Sequence, residues 1–401
     1  MTTLSVIIPA YNEELGIMEI ARRVLSVKEK LATVGVDELE LLIVDDGSKD
    51  QTAQIACQIE GVHLIRHPIN RGYGAALKTG FMNACGDLIG FLDADGTYPP
   101  EYFPELCTEA LRGSELVIGS RMAGAESRMP ATRRVGNFFF AYLLTLVGRQ
   151  RVSDSASGMR VFQRGVLDRI FPLPDGLNLT PVMSTRAIHE GIRVTEIPIP
   201  YSERLGRSKL SVVRDGIEFF QSIVWTALSY NPVRIFGLAG LGGIALALLG
   251  VIALVFARIQ GITTLNHWSV AGLFWVMVSA VAGISIFSFG ATSNYFVSLF
   301  YKKPIRQGLL GRPLFAVPLE RRFGWLGLLS FTAGLGLALL SLVLSFGGWE
   351  ITRLWFYLLF SAMLILVGIQ LIIFWLLMRL LEELSRREIL AGKDLNIVSP
   401  N

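Results

Sequence analysis

Four long stretches without a charged residue most constrain what this chain can fold into. They lie at residues 235–257, 268–301, 323–349 and 354–378. Each is longer than the about 20 residues that an α-helix needs to cross a hydrocarbon core of about 30 Å. Hydrophobic residues make up 52% of the 401 residues and charged residues only 17%, which excludes a disordered chain and one that is soluble throughout. The sequence therefore predicts a membrane domain of two helical hairpins.

Basic residues around these stretches predict the orientation of the hairpins. Residues 302–322 are rich in lysine and arginine, as is the end of the chain, and such segments favour the cytoplasm. We expect a multi-pass protein of the bacterial inner membrane with its soluble domain and both termini in the cytoplasm. On this basis the chain divides into a soluble domain at 1–210, an amphipathic juxtamembrane helix at 211–232, a first transmembrane hairpin at 233–301, a basic cytoplasmic loop at 302–322, a second transmembrane hairpin at 323–380 and a cytoplasmic tail at 381–401.

The two hairpins begin with the same sequence pattern. Phe-Gly-x-x-Gly-Leu stands at 236–241 and again at 323–328. Segments rich in glycine and leucine resemble one another by chance, so an internal repeat and a coincidence both remain open at this point.

The first 230 residues alternate short β-branched runs with helical patterns, which predicts βαβ units and a mostly parallel sheet covered by helices. We expect an α/β domain followed by four transmembrane helices. Ligands of such sheets bind beyond the carboxyl ends of the strands. The predicted strands are at 4–9, 39–46, 62–66, 87–95 and 115–121.

Polar motifs stand at the ends of four successive predicted strands. They are Pro-Ala-Tyr-Asn-Glu at 9–13, Asp-Asp-Gly-Ser at 45–48, Asn-Arg-Gly-Tyr-Gly-Ala at 70–75 and Asp-Ala-Asp at 93–95. A single motif of this kind is as often a helix cap or a turn as it is part of a functional site. Four together predict a single crevice, and the helix that opens near residue 73 could receive an anion at its backbone N–H groups.

The Asp-Ala-Asp motif suits a divalent cation. Two carboxylates separated by one residue can approach a hard ion together, and Mg²⁺ fills its remaining positions with water and substrate phosphates. This chemistry fits a nucleotide-diphosphate donor whose leaving group must be neutralised. The sequence has no GxxxxGK[ST] loop and no GxGxxG after the first strand, which disfavours a P-loop hydrolase and a Rossmann dehydrogenase.

Together these motifs resemble family 2 glycosyltransferases of the GT-A fold. The patterns SDxxSGxR at 153–160 and RxGxSK at 204–209 are similar to the polyprenyl-phosphate branch of that family. The similarity covers residues 4–230 and continues into the first hairpin. Where relatives often have a glutamine as a metal ligand, this chain has Thr97, and the role of Thr97 stays open.

The resemblance implies a role for particular residues, which we take as expectations. The nucleotide sugar would contact Pro9, Ala10, Tyr11, Glu13, Asp45, Asp46, Asp93 and Ala94. A cofactor Mg²⁺ or Mn²⁺ would be held by Asp93 and Asp95. The catalytic set would be Asp93, Asp95, Asp154, Arg204 and Lys209. The acceptor phosphate would meet Arg121, Arg133, Arg134, Asn137 and Ser157.

Two segments of the soluble half are candidates for the membrane interface. Residues 136–148 are almost entirely apolar, are too short to span a bilayer and follow several arginines, as in an interfacial helix. A buried core helix is the alternative. Residues 212–230 have apolar residues at helical spacing and lead into the first hairpin, which predicts a juxtamembrane helix.

The expected activity is a metal-dependent, inverting transfer of one hexose from a nucleotide-diphosphate sugar of the GDP-mannose or UDP-glucose type. The acceptor would be a polyprenyl (undecaprenyl or dolichyl) phosphate at the cytoplasmic face of the bilayer. A processive polysaccharide synthase is an alternative, although the chain has no QxxRW motif. A non-catalytic subunit that binds or flips glycolipids is another. No nucleic-acid partner is expected, and a homo-oligomer stays open.

Overall fold

The computed structural model describes residues 1–122, 131–147, 150–202, 212–260, 267–301, 319–349 and 351–394. The chain divides into two compact units, with the boundary between Ala227 and Leu228.

The first unit contains a seven-stranded sheet in the order β3-β2-β1-β4-β6-β5-β7. Its strands are β1 Thr3–Ala10, β2 Glu38–Asp45, β3 Val62–Arg66, β4 Leu88–Phe91, β5 Leu116–Ser120, β6 Arg160–Gln163 and β7 Val194–Pro198. Strand β6 is antiparallel to both of its neighbours, and the other neighbouring strands are parallel. The predicted α/β fold class, with a mostly parallel sheet, is confirmed.

Helices cover both faces of this sheet. They are α1 Ile17–Ser26, α2 Lys28–Thr33, α3 Thr52–Cys57, α4 Tyr73–Asn83, α5 Phe103–Leu111, α6 Ala131–Val147, α7 Leu167–Ile170, α8 Leu179–His189 and α9 Val212–Tyr230, with short 3₁₀ turns at Pro100–Tyr102 and Arg164–Val166. Alternate residues of β1 belong to different cores: Val6 and Ile8 pack with α1, α2 and α5, whereas Ile7 packs with α4 and α8. This alternation follows from the two-residue repeat of a strand.

Parallel register places the ends of the central strands at one edge of the sheet. Ala10, the last residue of β1, is paired with Asp45 at the end of β2, and Asp45 is paired with Arg66 at the end of β3. Strand β4 ends at Phe91, earlier than the sequence predicts. Asp93 and Asp95 therefore lie in the turn beyond the strand, at the same edge.

The described residues of the second unit form four long helices, and each has a segment long and apolar enough to cross a membrane. The helices are α10 Pro232–Ile259, α11 His267–Tyr301, α12 Phe323–Phe346 and α13 Ile351–Asp394, with a 3₁₀ turn at Leu319–Arg322. The apolar segments are Pro232–Ala257, Val270–Val297, Phe323–Phe346 and Tyr357–Leu384. The predicted set of four candidate membrane helices is confirmed.

Candidate active site

A cavity of about 370 Å³ opens at the strand ends of the first unit. Its wall includes most of the residues to which the sequence assigns a role. These are Pro9, Ala10, Tyr11, Glu13, Asp46, Asp93, Ala94, Asp95, Arg121 and Asn137. The chain brings these residues there from five separate segments, and they meet in one crevice.

Other predicted residues do not line the cavity. Asp45 is fully buried, where its Oδ1 accepts the Ser48 N–H (3.1 Å) and its Oδ2 lies 3.2 Å from Arg66 Nε. Ser157 is fully buried, and its hydroxyl donates to the Gly119 carbonyl (2.6 Å). Ser157 therefore joins its loop to β5, and its hydroxyl does not face the cavity.

The remaining predicted residues are two neighbouring arginines and two residues of the 203–211 segment. Arg134 is exposed on α6 and does not line the cavity. Arg204 and Lys209 lie outside the described residues, and so does the side chain of Arg133.

Asp93 is held by a tyrosine that the sequence analysis did not single out. The Tyr73 hydroxyl donates to Asp93 Oδ1 at 2.8 Å. Burial, reinforced by the charge of Asp93, raises the pKa of Tyr73 well above its ordinary value, so this hydroxyl keeps its proton. Tyr73 belongs to the Asn-Arg-Gly-Tyr-Gly-Ala motif, which was the one available signal for its role.

The second carboxylate oxygen of Asp93, Oδ2, fits in its position only because residue 158 is a glycine. A Cβ on Gly158 would lie 2.4 Å from Asp93 Oδ2, much closer than any real contact. The loop that contains Gly158 is fixed from both sides. The Gly158 N–H donates to the Tyr98 hydroxyl (2.7 Å), and Arg160 donates to the carbonyls of Ser155 (2.7 Å) and Ser157 (3.1 Å).

Arg160 is itself fully buried in β6. Burial lowers the pKa of its guanidinium to about 10, so it remains a cation at neutral pH. Its role is to hold the 155–157 backbone, which a sequence pattern alone does not reveal.

Gly158→Ala is expected to lower turnover about 10- to 100-fold, the range associated with a displaced reacting group. The added methyl group must push the Asp93 carboxylate away, while the fold survives because the displaced atom is a side-chain end at a cavity. Steady-state kinetics together with the thermal unfolding midpoint would check this. Gly165→Ala is the matched control, since its Cβ would meet nothing within 4 Å. Normal turnover in Gly158→Ala would contradict the assigned contact.

Asp95 is the second carboxylate of the pair and is only 8% exposed. Its Oδ1 accepts the backbone N–H (3.1 Å) and the hydroxyl (2.6 Å) of Thr97. Thr97, whose role the sequence left open, therefore orients Asp95.

The donor set fits a hard divalent cation. Asp93 and Asp95 lie on one wall of the cavity, and carboxylate oxygens are the ligands that Mg²⁺ and Mn²⁺ prefer. Over the described ranges, no group of three or more His, Cys, Asp or Glu side chains could hold a metal ion. A cation at this pair would complete its shell with water and with oxygens of a bound diphosphate, as Mg²⁺ commonly does.

Arg121 and Asp154 form a buried ion pair beside the cavity. Arg121 donates from Nε (2.7 Å), Nη2 (2.7 Å) and its backbone N–H (3.0 Å) to the Asp154 carboxylate. Asn137 adds a fourth hydrogen bond at 3.0 Å. Burial alone would raise the pKa of Asp154, but Arg121 outweighs it and holds that pKa below its ordinary value. Arg121 also lies 5.6 Å from the ring centroid of Tyr98 and 5.5 Å from that of Tyr201.

Arg121 and Asp154 differ in whether they reach the cavity. Arg121 and Asn137 line the cavity, whereas Asp154 is fully buried and binds both of them. Asp154 therefore orients Arg121 and Asn137 and does not itself line the cavity.

Asp46 organises the loop that precedes α4. Its Oδ1 accepts the Arg71 N–H (2.9 Å) and lies 2.7 Å from His67 Nδ1, and its Oδ2 accepts the Gly72 N–H (2.8 Å). The Ala75 N–H donates to the Asp175 carbonyl at 3.1 Å. The Asp46 carboxylate thus accepts from the N–H groups of the two residues that precede α4.

Helices α6 and α9 form another wall of the cavity. Phe140 and Phe219 line it, and their rings pack with centroids 5.9 Å apart. The outer faces of both helices expose large apolar side chains, with exposed fractions of 69% for Phe138 and 68% for Trp225. Helix α6 therefore has an exposed apolar face, which excludes the alternative of a buried core helix.

Residues 5–171 match the family model described as Glycosyl transferase family 2. The first unit contains a family 2 glycosyltransferase domain. The protein is thus a glycosyltransferase with a GT-A fold, as the sequence motifs predict. Residues 232–392 match a second model, a domain of unknown function (DUF8752).

Solved structures of glucosyl-3-phosphoglycerate synthase from Mycobacterium tuberculosis are similar to this glycosyltransferase. The complex with Mn²⁺, uridine-diphosphate and phosphoglyceric acid is 20% identical, with a TM-score of 0.47 over 56% of this chain and 78% of that chain. The complex with Mg²⁺ and uridine-diphosphate is 22% identical, with a TM-score of 0.44 over 57% of this chain and 79% of that chain.

Proposed function

We propose that this glycosyltransferase transfers one hexose, with inversion, from a nucleotide-diphosphate sugar to a polyprenyl phosphate at the cytoplasmic face of a membrane. The observation that supports this most directly is the composition of the cavity wall. The carboxylates Asp93 and Asp95 line the same cavity as helices α6 and α9, whose outer faces expose apolar side chains. A water-soluble donor and a lipid-borne acceptor could therefore meet in one place.

On the donor side, the proposed contacts follow the strand ends. Residues 9–13 would hold the nucleotide, and a divalent cation at Asp93 and Asp95 would neutralise the diphosphate as it leaves. Tyr73 and Thr97 keep the two carboxylates oriented toward the cavity. Arg204 and Lys209 are proposed from the sequence as further partners of the diphosphate.

On the acceptor side, Arg121 and Asn137 would bind the phosphate monoester. One of its oxygens attacks the anomeric carbon as the bond from that carbon to the diphosphate breaks, so the configuration inverts. A phosphate monoester is already largely anionic at pH 7, and the reaction needs little help from a general base. This agrees with the buried position of Asp154, whose carboxylate is committed to Arg121 and Asn137.

A donor and acceptor screen on the full chain in nanodiscs tests the proposal. UDP- and GDP-sugars would each be offered with a polyprenyl phosphate, the matching unphosphorylated polyprenol, or 3-phosphoglycerate as a soluble phosphate acceptor. The expected product is a lipid with one sugar, formed from the phosphorylated polyprenol alone and only with Mg²⁺ or Mn²⁺. A polymer would favour the polysaccharide-synthase alternative. Transfer only to phosphoglycerate would reject the lipid acceptor.

The exposed apolar faces of α6 and α9 give a second prediction. Phe138→Glu together with Trp225→Glu should raise the KM for a long-chain polyprenyl phosphate about 10-fold or more, because burying one such side chain contributes about 1.5–3 kcal/mol. The rate with a short, water-soluble prenyl phosphate should not change. Met82→Glu is the control, since Met82 is 79% exposed on α4, away from the cavity. Equal effects on both acceptors would show that these faces do not contact the lipid.

A further inference from the structure

One hydroxyl group in the cavity wall has no protein partner. Thr180, in the first turn of α8, lines the cavity although only 4% of its surface is exposed. Further along the same helix, Ser184 and Thr185 donate to the carbonyls of Thr180 (3.1 Å) and Pro181 (2.7 Å). Within the described part of the chain, the Thr180 hydroxyl makes no such bond. Burying a hydroxyl without a partner is unfavourable, so a ligand that pairs with it would remove this cost.

A carboxylate reaches the same cavity from α9. Four residues at intervals of four share one face of this helix: Asp215, Phe219, Ile223 and Ala227. Ile223 and Ala227 are fully buried, and Phe219 lines the cavity. Asp215 and its neighbour Gly216 continue this face along the cavity wall. A charged side chain therefore occupies the cavity end of an otherwise apolar face.

Two contacts hold α8 and α9 against each other. Asn178, which directly precedes α8, donates from Nδ2 to the Ser222 hydroxyl at 2.7 Å. A Cβ on Gly176 would lie 3.1 Å from the Glu218 carboxylate. Leu177, between these two contact points, lines the cavity. The two helices thus form one continuous part of the cavity wall.

The polar groups of this wall restrict the chemistry of a ligand. The Asp215 carboxylate would repel a phosphate, and an apolar chain would leave the Thr180 hydroxyl buried without a partner. A neutral ring with several hydroxyl groups suits both, because each hydroxyl can donate to a carboxylate and can pair with a threonine. Ala76, Leu177 and Phe219 add apolar surface, and an apolar wall with a few polar groups is typical of small-molecule sites.

The hexose is the part of the proposed reactants that still needs a partner for its hydroxyl groups. The proposed function places the nucleotide at residues 9–13, the cation at Asp93 and Asp95, and the acceptor phosphate at Arg121 and Asn137. The hexose must lie between the leaving diphosphate and the acceptor phosphate, within the same cavity.

We propose that Thr180 and Asp215 form a sugar subsite, in which the Thr180 hydroxyl and the Asp215 carboxylate bind hydroxyl groups of a neutral hexose. This inference rests on the proposed function and extends it to two residues that no sequence motif marks. The subsite contacts the donor and not the lipid, so it can be tested without an acceptor.

Binding of a nucleotide sugar, compared with binding of the matching nucleotide, tests the subsite in the full chain in nanodiscs. Isothermal titration with Mg²⁺ would use UDP-glucose with UDP and GDP-mannose with GDP. Thr180→Val should weaken binding of the nucleotide sugar about 3- to 10-fold and Asp215→Ala about 10-fold or more, the scales of losing a hydrogen bond to a neutral and to a charged group. Neither variant should weaken binding of the nucleotide. Unchanged binding of the nucleotide sugar in either variant, or equal weakening of both ligands, would overturn the subsite.

Thr185→Val and Glu218→Ala are the matched controls on the same two helices. The Thr185 hydroxyl is bonded within α8, Glu218 is exposed on α9, and neither residue lines the cavity. Both controls should bind the nucleotide sugar as the wild type does. The ligand-free Thr180→Val variant should keep the wild-type thermal midpoint, because valine has the same shape and the hydroxyl has no partner among the described residues. A lowered midpoint would show a structural role and count against the proposal.

Monodeoxy analogues of the donor sugar test the Thr180 contact directly. At one ring position, the loss from removing the sugar hydroxyl and the loss from Thr180→Val should not add, because both remove the same hydrogen bond. Additive losses at every position would refute this contact. Weaker sugar binding in the variants together with transfer to phosphoglycerate alone would reject the lipid acceptor and still support the subsite. A wild type that binds neither nucleotide sugar would reject the proposed donor and the subsite with it.

Discussion

Replacing Asp95 by asparagine is expected to lower sugar transfer at least ~100-fold, the scale of losing one group that stabilises charge in the transition state. The amide has nearly the same shape and still offers an oxygen to Thr97, whose two hydrogen bonds to Asp95 Oδ1 are 3.1 and 2.6 Å long. The variant differs from the wild type in charge, which is the property that a divalent cation requires. The fold should survive, because the carboxylate lies at the edge of an open cavity.

Initial rates measured across a titration of Mg²⁺ and Mn²⁺ would separate loss of metal binding from loss of catalysis. Asp87→Asn is a suitable control, since Asp87 also accepts a backbone N–H, from Thr3 at 3.1 Å, but does not line the cavity. Near-normal turnover of Asp95→Asn at saturating metal would remove the metal assignment.

The sequence could predict those parts of the site that depend on order along the chain. The carboxyl ends of parallel strands lie at one edge of the sheet. The motifs after β1, β2 and β4 therefore lie close together even when the predicted strand ends are wrong by a few residues. This is why Asp93 and Asp95 reach the cavity although β4 ends at Phe91, earlier than expected. The four candidate membrane helices were equally predictable, because length and apolarity alone define them.

Contacts between residues that are distant in sequence could not be predicted in this way. Strand β6 has only four residues and begins with a buried arginine, so its composition does not mark it as a strand. Ser157 and Asn137 were both assigned to the acceptor phosphate, yet only Asn137 lines the cavity. Which polar side chain faces inward depends on packing between elements, and residue type gives no information about it.

The ion pair of Arg121 and Asp154 shows the same limit and leads to the second large prediction. Asp154→Asn should destabilise the first unit by about 3–5 kcal/mol, because it leaves the guanidinium of Arg121 as a buried charge without its partner. Transfer should be lost with it. Thermal unfolding and initial rates on the same preparation would measure both effects.

Acidification should act on the same pair. Because Arg121 holds the pKa of Asp154 below its ordinary value, the ionised carboxylate stabilises the fold at every pH above the unfolded-state pKa of about 3.9. That stabilisation is lost as the pH falls through the lower pKa of the folded state. An Arg121→Leu/Asp154→Leu variant lacks both charges and should not show this contribution.

The double variant also separates positioning from proton transfer. Replacing a buried ion pair by apolar residues is often neutral or stabilising, so Arg121→Leu/Asp154→Leu should regain the stability that Asp154→Asn loses. Transfer should remain lost, because the proposed phosphate ligand Arg121 is gone. If Asp154 instead removed a proton from the acceptor, the rate of Asp154→Asn would recover above the second phosphate pKa of about 6, where the acceptor is already a dianion. No recovery is expected, since what Asp154 supplies is the position of Arg121, and raising the pH cannot replace it.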